Sequence, residues 1–355
     1  MKSCSFGRRI LALALVLAGY GAFPAEGAGQ EEHRVRGNEV SVYNLAGQVE
    51  VVPGSGSEVV VQVIRGGSDA GQLEIGVEEV DGRQALVIAY PADEVTYPEL
   101  GRNSKTQVRV RRDGSFFGGG TSINTREVTI SGSGDGMEAW ADLRIAVPQG
   151  QDFALFLAVG ESELRELDGT VLIDAGSGAV RALACEGELS IDTGSGAVTV
   201  EGFQGDLWVD TGSGAVEIND VHGEDVVVDT GSGAVHGSGV TAGSIGVDTG
   251  SGEIVLRGVS APQVILDTGS GSVEVELLAD VDELEIDTGT GSVTIWVPSS
   301  LGAEVEMDTG SGGIDMDVPI EIEVAKRDRV RGILGDGNGS IHVDTGSGAI
   351  RIIGG

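Results

Sequence analysis

Apolar and polar residues alternate along most of this chain, and from residue 161 to residue 355 they do so in a repeating frame. An aspartate marks the frame, at Asp174, Asp192, Asp210, Asp229, Asp248, Asp267, Asp287, Asp308 and Asp344. The successive spacings are 18, 18, 19, 19, 19, 20, 21 and 36. One position before each aspartate the residue is apolar, from Ile173 and Ile191 to Met307 and Val343, and three before it likewise, from Val171 to Ile341. Six positions after it, beyond a Gly-Ser-Gly or Gly-Thr-Gly break, the series runs from Val180 to Ile350. Alternation on both sides of a glycine break predicts two short strands meeting at a corner, with aliphatic side chains inward and the aspartate outward. Eleven positions after the aspartate, Cys185, Phe203, Val221, Val240 and Val259 form a further inward row. One period is therefore one coil. The fold class is all-β, a parallel β-solenoid with coils of about 18 to 21 residues, each strand pairing with its equivalents roughly 4.8 Å above and below. A lone coil has nothing on either side of its aliphatic rows, and stacking supplies both neighbours. The final spacing of 36 reads as two periods with one copy eroded by an excursion over residues 319–332 that contains EVAKRDRVRG.

The same alternation, less regular, extends towards the N-terminus. VSVYNLAGQVEVVPGSGSEVVVQVIR at 40–65 reads as the first coils, and strand patterns recur at 72–91 and 141–159, with Asp81-Gly82 as a turn. Residues 39–160 are thus expected to be N-terminal solenoid coils, preceded by a flexible segment at 29–38 and interrupted by an insertion at 92–136. The insertion carries QVRVRRDGSFFGGGTS, basic and aromatic where the rest is acidic. Two readings follow: Arg109, Arg111 and Arg112 lie against the protein's own acidic face, or they form a partner-binding contact with Phe116 and Phe117 as apolar anchors.

Composition sharpens this picture in two places. The formal charge is −34, with 56 Asp and Glu against 22 Lys and Arg, so nucleic acid is not an expected partner. Residues 1–28 read as an export signal: Lys2, Arg8 and Arg9, then the apolar run ILALALVLAGYGAF, then small residues around Ala25 and Gly27. The run is too short for a transmembrane anchor, and Cys4 precedes it, whereas a lipid-bearing cysteine would follow it. Loss of Lys2, Arg8, Arg9 and Glu26 takes the formal charge to about −36. It also leaves Cys185 as the remaining cysteine, an inward thiol and not a nucleophile, with no intrachain disulfide possible. The expected location is periplasmic, at the cell surface or secreted.

The residues 192–195, Asp-Thr-Gly-Ser, also spell the tetrapeptide around the catalytic aspartate of aspartic proteases. Those enzymes need two aspartates sharing a proton, each carried by its own lobe, and coils this short leave no room for lobes. In register, the aspartates and the threonines that follow them form ladders up one edge. Each carboxylate is expected to accept N–H bonds from its own glycine corner. The alternative is that neighbouring carboxylates share Ca²⁺, making all nine a metal ladder. The calcium β-roll signature places its aspartate after the glycines, the reverse of the order here. No catalytic residue and no cofactor is assigned. A carbohydrate-active β-helix enzyme is the alternative function, but His222, His236 and His342 stand at different offsets from their aspartates, and beyond the signal the lysines are Lys105 and Lys326 alone.

With these segments in hand, the chain resembles the bacterial "putative adhesin" family, domains of unknown molecular function in exported proteins. The resemblance rests on VSVYNLAGQVEVVPGSGSEVVVQV, DLRIAVPQG, the iterated VDTGSGAV and the terminal GILGDGNGSIHVDTGSGAIRI, and it spans nearly all the chain beyond the signal. It implies a β-solenoid domain at the cell envelope; with the export signal, the repeat and the scarcity of catalytic chemistry, the expected function is non-enzymatic and adhesin-like. The expected partner is an envelope, glycan or protein ligand met by a rigid acidic surface, and end-to-end self-association through an exposed final coil is a further expectation.

Overall fold

The computed structural model describes residues 30–117 and 125–355, so the export signal expected at 1–28 lies outside the described residues. Described strands fall into sheets of 15, 14 and 4 strands. The two large sheets face each other across the aliphatic rows and form the walls of a β-solenoid. A narrow third side is marked by the bridges Gln204↔His222, His222↔Thr241 and Thr241↔Ser260. The 15-stranded wall carries the aspartates and is called here the ladder sheet; the 14-stranded wall is the opposite sheet. In the ladder sheet Asp174 pairs with Asp192, Asp192 with Asp210, and so on through Asp267 and Asp287, all in parallel register. The inward rows are buried as the alternation requires: Ile173, Val209, Val228 and Leu266 are at most 2% exposed. Cys185 belongs to the same core and is 3% exposed.

The last two coils follow an order that the spacing conceals. The strand Gly339–Thr345 lies between Glu283–Thr288 and Ala303–Thr309, and Ile350–Gly354 lies between Val293–Val297 and Ile314–Asp317. The Asp344 coil is therefore inserted between the Asp287 and Asp308 coils. No copy is eroded: the long interval holds the remainder of the Asp308 coil and a hairpin, Ile320–Ala325 with Arg329–Leu334, which caps the ladder sheet by antiparallel pairing. The stack stays in register through this detour, Asp287 to Asp344 to Asp308.

At the other end the hairpin Glu74–Val80 with Arg83–Ala89 closes the ladder sheet, turning on Asp81 and Gly82 at φ 50° and 87°. The segment expected to be flexible at 29–38 is instead ordered over Gln30–Val35, an antiparallel strand on Val59–Gly66 with Val35 fully buried. Pairing its backbone to the sheet and burying Val35 is what removes its freedom. Residues of the insertion build the 4-stranded sheet from Glu94–Thr96, Lys105–Arg111, Thr125–Ser131 and Met137–Glu138.

The corners are held by backbone, not by the aspartates. Gly212, Gly231 and Gly250 donate their N–H groups to Thr193, Thr211 and Thr230 carbonyls of the neighbouring coil at 3.0–3.1 Å. Among the described residues, no corner N–H bonds a ladder carboxylate, which corrects the expected Asx-type turn: stacking has already taken the donors. Glycine is obligatory at the tightest corners. Gly196 sits at φ 151°, where an added Cβ would lie 2.0 Å from the Gly178 carbonyl oxygen.

The threonine that follows each aspartate except Asp174, where the residue is Ala175, also departs from expectation. Alternation turns it inward, so Thr193, Thr211, Thr230, Thr249, Thr268, Thr288 and Thr345 are 0% exposed and only the aspartates remain outside. In the later coils the hydroxyl donates to a glycine carbonyl of the adjacent corner, as Thr268 does to Gly252 at 3.1 Å and Thr288 to Gly271 at 3.0 Å. Thr193, Thr211 and Thr230 are buried with no partner for Oγ1.

Two contrasts test this account by thermal or urea unfolding. Gly196→Ala is expected to destabilise by about 3 kcal/mol or more, because Cβ meets backbone in a left-handed region. Gly246→Ala, where an added Cβ meets nothing within 4 Å, should be neutral or stabilising by about 0.5 kcal/mol. Thr211→Val should stabilise by roughly 1 kcal/mol by removing an unpaired buried hydroxyl, whereas Thr268→Val should destabilise by a similar amount because it orphans the Gly252 carbonyl.

Candidate functional site

Outward positions on the ladder sheet repeat every second residue, so each coil contributes three tracks to one flat face. One track is the aspartate ladder. Two residues before it runs a middle track, in which Leu172, Ser190, Trp208, Val227, Gly246, Ile265, Glu285 and His342 are successive register partners. Two residues before that lies a second polar track that includes Glu188, Asp206, Asp225 and Glu283. The six strands from Glu186–Ser195 to Glu283–Thr288 contain no Lys or Arg.

The ladder sheet carries arginines only towards its ends, at Arg83, Arg329 and Arg331, and the ion pairs alongside its middle coils are on the other wall. Arg144 pairs with Glu50 at 2.7 Å, Arg257 with Glu274 at 3.3 Å and Arg351 with Asp315 at 3.4 Å, all on the opposite sheet. On the ladder, among the described residues, an ion pair reaches only Asp308, from Arg329 of the capping hairpin at 3.5 Å. Carboxylates from Asp192 to Asp287 therefore stand roughly one strand spacing apart with only each other and water as neighbours. Burial first, then the charge of a neighbouring aspartate, raises the carboxyl of Asp174 to about 7; the same two causes raise Asp192 and Asp267. Among the described residues no three His, Cys, Asp or Glu side chains converge as metal ligands would, since the ladder offers one carboxylate per coil in single file. Ca²⁺ needs six to eight oxygens around it.

Towards the N-terminal end the ladder position changes character. Asp174 is followed in register by Phe156, then Tyr43, then Val87. Tyr43 and Phe156 stack at 4.4 Å, and Phe116 of the insertion meets Tyr43 edge-on at 5.8 Å. Phe117, at φ 55°, packs edge-on against Phe116 at 5.0 Å and lies over Gly176 of the Asp174 coil, while Thr106 and Ser177 share a hydrogen bond at 2.8 Å. The insertion is thus a roof on this face that ends at the Asp174 coil.

The roof decides where the remaining sequence candidates go. Phe116 is 1% exposed, so its ring is spent on internal packing and anchors no partner; Phe117 is half-buried beside it. Arg111 bonds Asp81 at 2.7 Å and the Phe117 carbonyl at 3.3 Å, tying the roof to the N-terminal hairpin. Arg109 is exposed opposite Glu127 in the insertion's sheet. Arg112 is exposed and, with Arg111 and Arg126, lines an open cleft of about 250 Å³ that also contains Glu74 and Asp93. The five residues therefore share one segment without forming one site. A second open cleft, of about 420 Å³, lies at the far end of the ladder between Asp308, Asp344, Lys326 and Arg329. The middle track escaped the sequence reading, although its signal, the residue two before each aspartate, was in the repeat.

The profile of the Toastrack DUF4097 family matches residues 99–353. The chain belongs to the Toastrack DUF4097 family. A crystal structure described as that of "a putative cell adhesion protein" from Clostridium sporogenes ATCC 15579 aligns with 92% of this Toastrack chain and 99% of its own, at 14% identity and a TM-score of 0.22. No curated protein matches the chain. No helix of the described residues is long and apolar enough to cross a membrane.

The raised Asp174 carboxyl gives the Toastrack solenoid a pH dependence of definite sign. The folded state keeps this proton up to about pH 7, whereas the unfolded chain releases it near its ordinary 3.8. Folding therefore binds the extra proton between those values, and stability falls as pH rises through the window. The melting temperature should be higher at pH 5 than at pH 8. Asp174→Asn should raise it by a few degrees at pH 8 and change it little at pH 4, and a flat profile in the parent protein would contradict the burial of this carboxyl.

Proposed function

We propose that this chain is a non-enzymatic, exported, adhesin-like β-solenoid that presents a rigid acidic surface for binding at the cell envelope or outside the cell. One observation carries the reading: among the described residues the ladder carboxylates from Asp192 to Asp287 are left without cations, while arginine ion pairs lie on the opposite wall or at the two ends of the ladder sheet. A protein seeking only stability would place those arginines among the carboxylates, because like charges stacked at strand spacing repel. The repulsion is tolerated here by a scaffold whose register is fixed by backbone, and its return is a concentrated field on one flat side. Export is supported by the leader pattern at residues 1–28. The partner is an envelope, glycan or protein surface that complements this field.

Retention of the purified protein on envelope fractions and on host-type glycan and protein surfaces tests the reading. Binding should weaken as salt rises from about 0.05 M to about 0.5 M, because the contact is charge-driven. A variant with Asp210, Asp229 and Asp248 changed to Asn should keep its fold and lose about tenfold or more in affinity. Retention on none of these surfaces, or release of new reducing or unsaturated ends from polysaccharide, would reject a purely binding role.

A further inference from the structure

The middle track, between the aspartate ladder and the second polar track, is apolar over a limited stretch. Trp208, Val227, Gly246 and Ile265 occupy it in four successive coils, with Val227 38% and Ile265 39% exposed and Trp208 half-buried. Gly246 makes a dent between two exposed aliphatic side chains, since a Cβ there would meet nothing within 4 Å. Beyond this stretch the track turns polar, at Ser190 on one side and Glu285 on the other. An exposed aliphatic stripe bordered on one side by the unpaired aspartate ladder, and on the other by a polar row that runs Asp206, Asp225, Ser244, Gln263, fits a ligand whose own surface alternates cationic and apolar groups.

The molecule already shows one occupant of this face. Its covered end is roofed by the insertion, a polypeptide whose strand Lys105–Arg111 is basic and whose turn delivers Phe116 and Phe117 onto outward-facing residues of the same sheet. The strand's alternation buries Val108 and Val110 on one side and leaves Lys105, Gln107 and Arg109 exposed on the other. The open stretch begins two coils beyond the end of that roof and offers the same sheet with carboxylates in place of the aromatic ladder. Two of the three side chains in the stretch, Val227 and Ile265, are β-branched aliphatics on either side of a dent, and Trp208 stands at one end only, a surface that suits the knobs of a polypeptide better than a run of flat sugar rings.

We propose that the coils from Asp210 to Asp267 form a docking site for an extended Lys/Arg-rich polypeptide segment of a partner protein, whose alternate apolar side chains lie on Trp208, Val227 and Ile265 and enter the dent at Gly246. Its lysines or arginines reach the aspartate ladder along one side, with Asp225 on the other side in the Asp229 coil. This rests on the binding role proposed above and narrows it to one face and one class of partner.

The test uses the full chain beyond its leader and a fluorescein-labelled octapeptide, Lys-Val-Lys-Phe-Lys-Val-Lys-Val, followed by fluorescence anisotropy. Gly246→Lys fills the dent and adds a like charge to the peptide's, at a position where the larger side chain has open space, so the fold is kept and unfolding curves verify it. Gly246→Lys and the double variant Val227→Ser, Ile265→Ser are each expected to weaken binding by about tenfold or more, while Glu274→Gln on the opposite sheet stays within about twofold. A charge-matched peptide with serine in place of Val and Phe should bind about tenfold more weakly than the parent peptide. Equal binding of the two peptides, or no effect of Gly246→Lys, overturns the site and leaves only diffuse attraction to the ladder. Chitosan oligomers that bind with the same variant dependence, where the peptide does not, overturn the choice of a polypeptide. If the peptide fails while the protein is still retained on envelope or host surfaces, this site is rejected and the adhesin-like role stands.

Discussion

Backbone contact between glycine corners is the constraint on which the rest of the structure depends. With hydrogen in place of Cβ, the corner of each coil can settle onto the corner below, and at Gly178, Gly196 and Gly214 the spare room for any larger group is nil, since a Cβ would lie 1.8–2.0 Å from the next glycine oxygen. Contact this close admits one register. Once the corners are aligned, every inward row must meet itself in the next coil, and every outward residue must as well. The aliphatic core and the acidic ladder are therefore two consequences of the same contact. The core supplies the free energy, and the ladder draws on it.

The placement of charge follows from that dependence. A like-charged ladder can persist only where its register is set by something stronger than electrostatics, and parallel backbone pairing with buried Val and Ile on the inner side meets the requirement. Had the carboxylates served as local turn caps, the corner N–H groups would have been divided between two acceptors. They are committed to carbonyls of neighbouring coils instead, and the carboxylates are free to face outward. The buried threonines complete the arrangement from inside: the same corner that repels outside is bonded within, by Oγ1 to a glycine carbonyl, from the Asp248 coil onward.

How much of this was legible in the sequence depended on whether a feature was periodic. The solenoid, its coil length and the inward rows were readable because each recurs at a fixed offset from an aspartate, and Cys185 fell where that offset placed it. The inward turn of Thr193 and its equivalents follows from the same alternation, but the hydroxyl made the residue look like a surface partner of Asp192. The order of the last coils could not be read from spacing, because insertion of Gly339–Thr345 between two earlier strands is a long-range pairing choice that leaves the local pattern unchanged. Phe116 looked like an exposed anchor because Tyr43, the ring it packs against, lies 73 residues away along the chain. The order of Gln30–Val35 was missed for a similar reason, since its partner strand Val59–Gly66 supplies the ladder that a short polar segment lacks by itself.

The two ends of the stack show why the open stretch lies in the middle. An uncovered coil would expose both a pairing edge and an apolar row, and both ends of the ladder sheet are closed by antiparallel hairpins whose outer strands, Glu74–Val80 and Ile320–Ala325, are rich in glutamate. Acidic outer strands on both ends disfavour joining one copy to another end to end, because like charges would be brought together at pairing distance. Charge thus opposes growth of the ladder sheet at both ends, while the ladder face, which has no role in pairing, remains flat and uncovered from Asp192 to Asp287. A surface excluded from pairing by geometry and from internal neutralisation by the placement of arginine is the one on which the proposed contact with an oppositely charged partner draws.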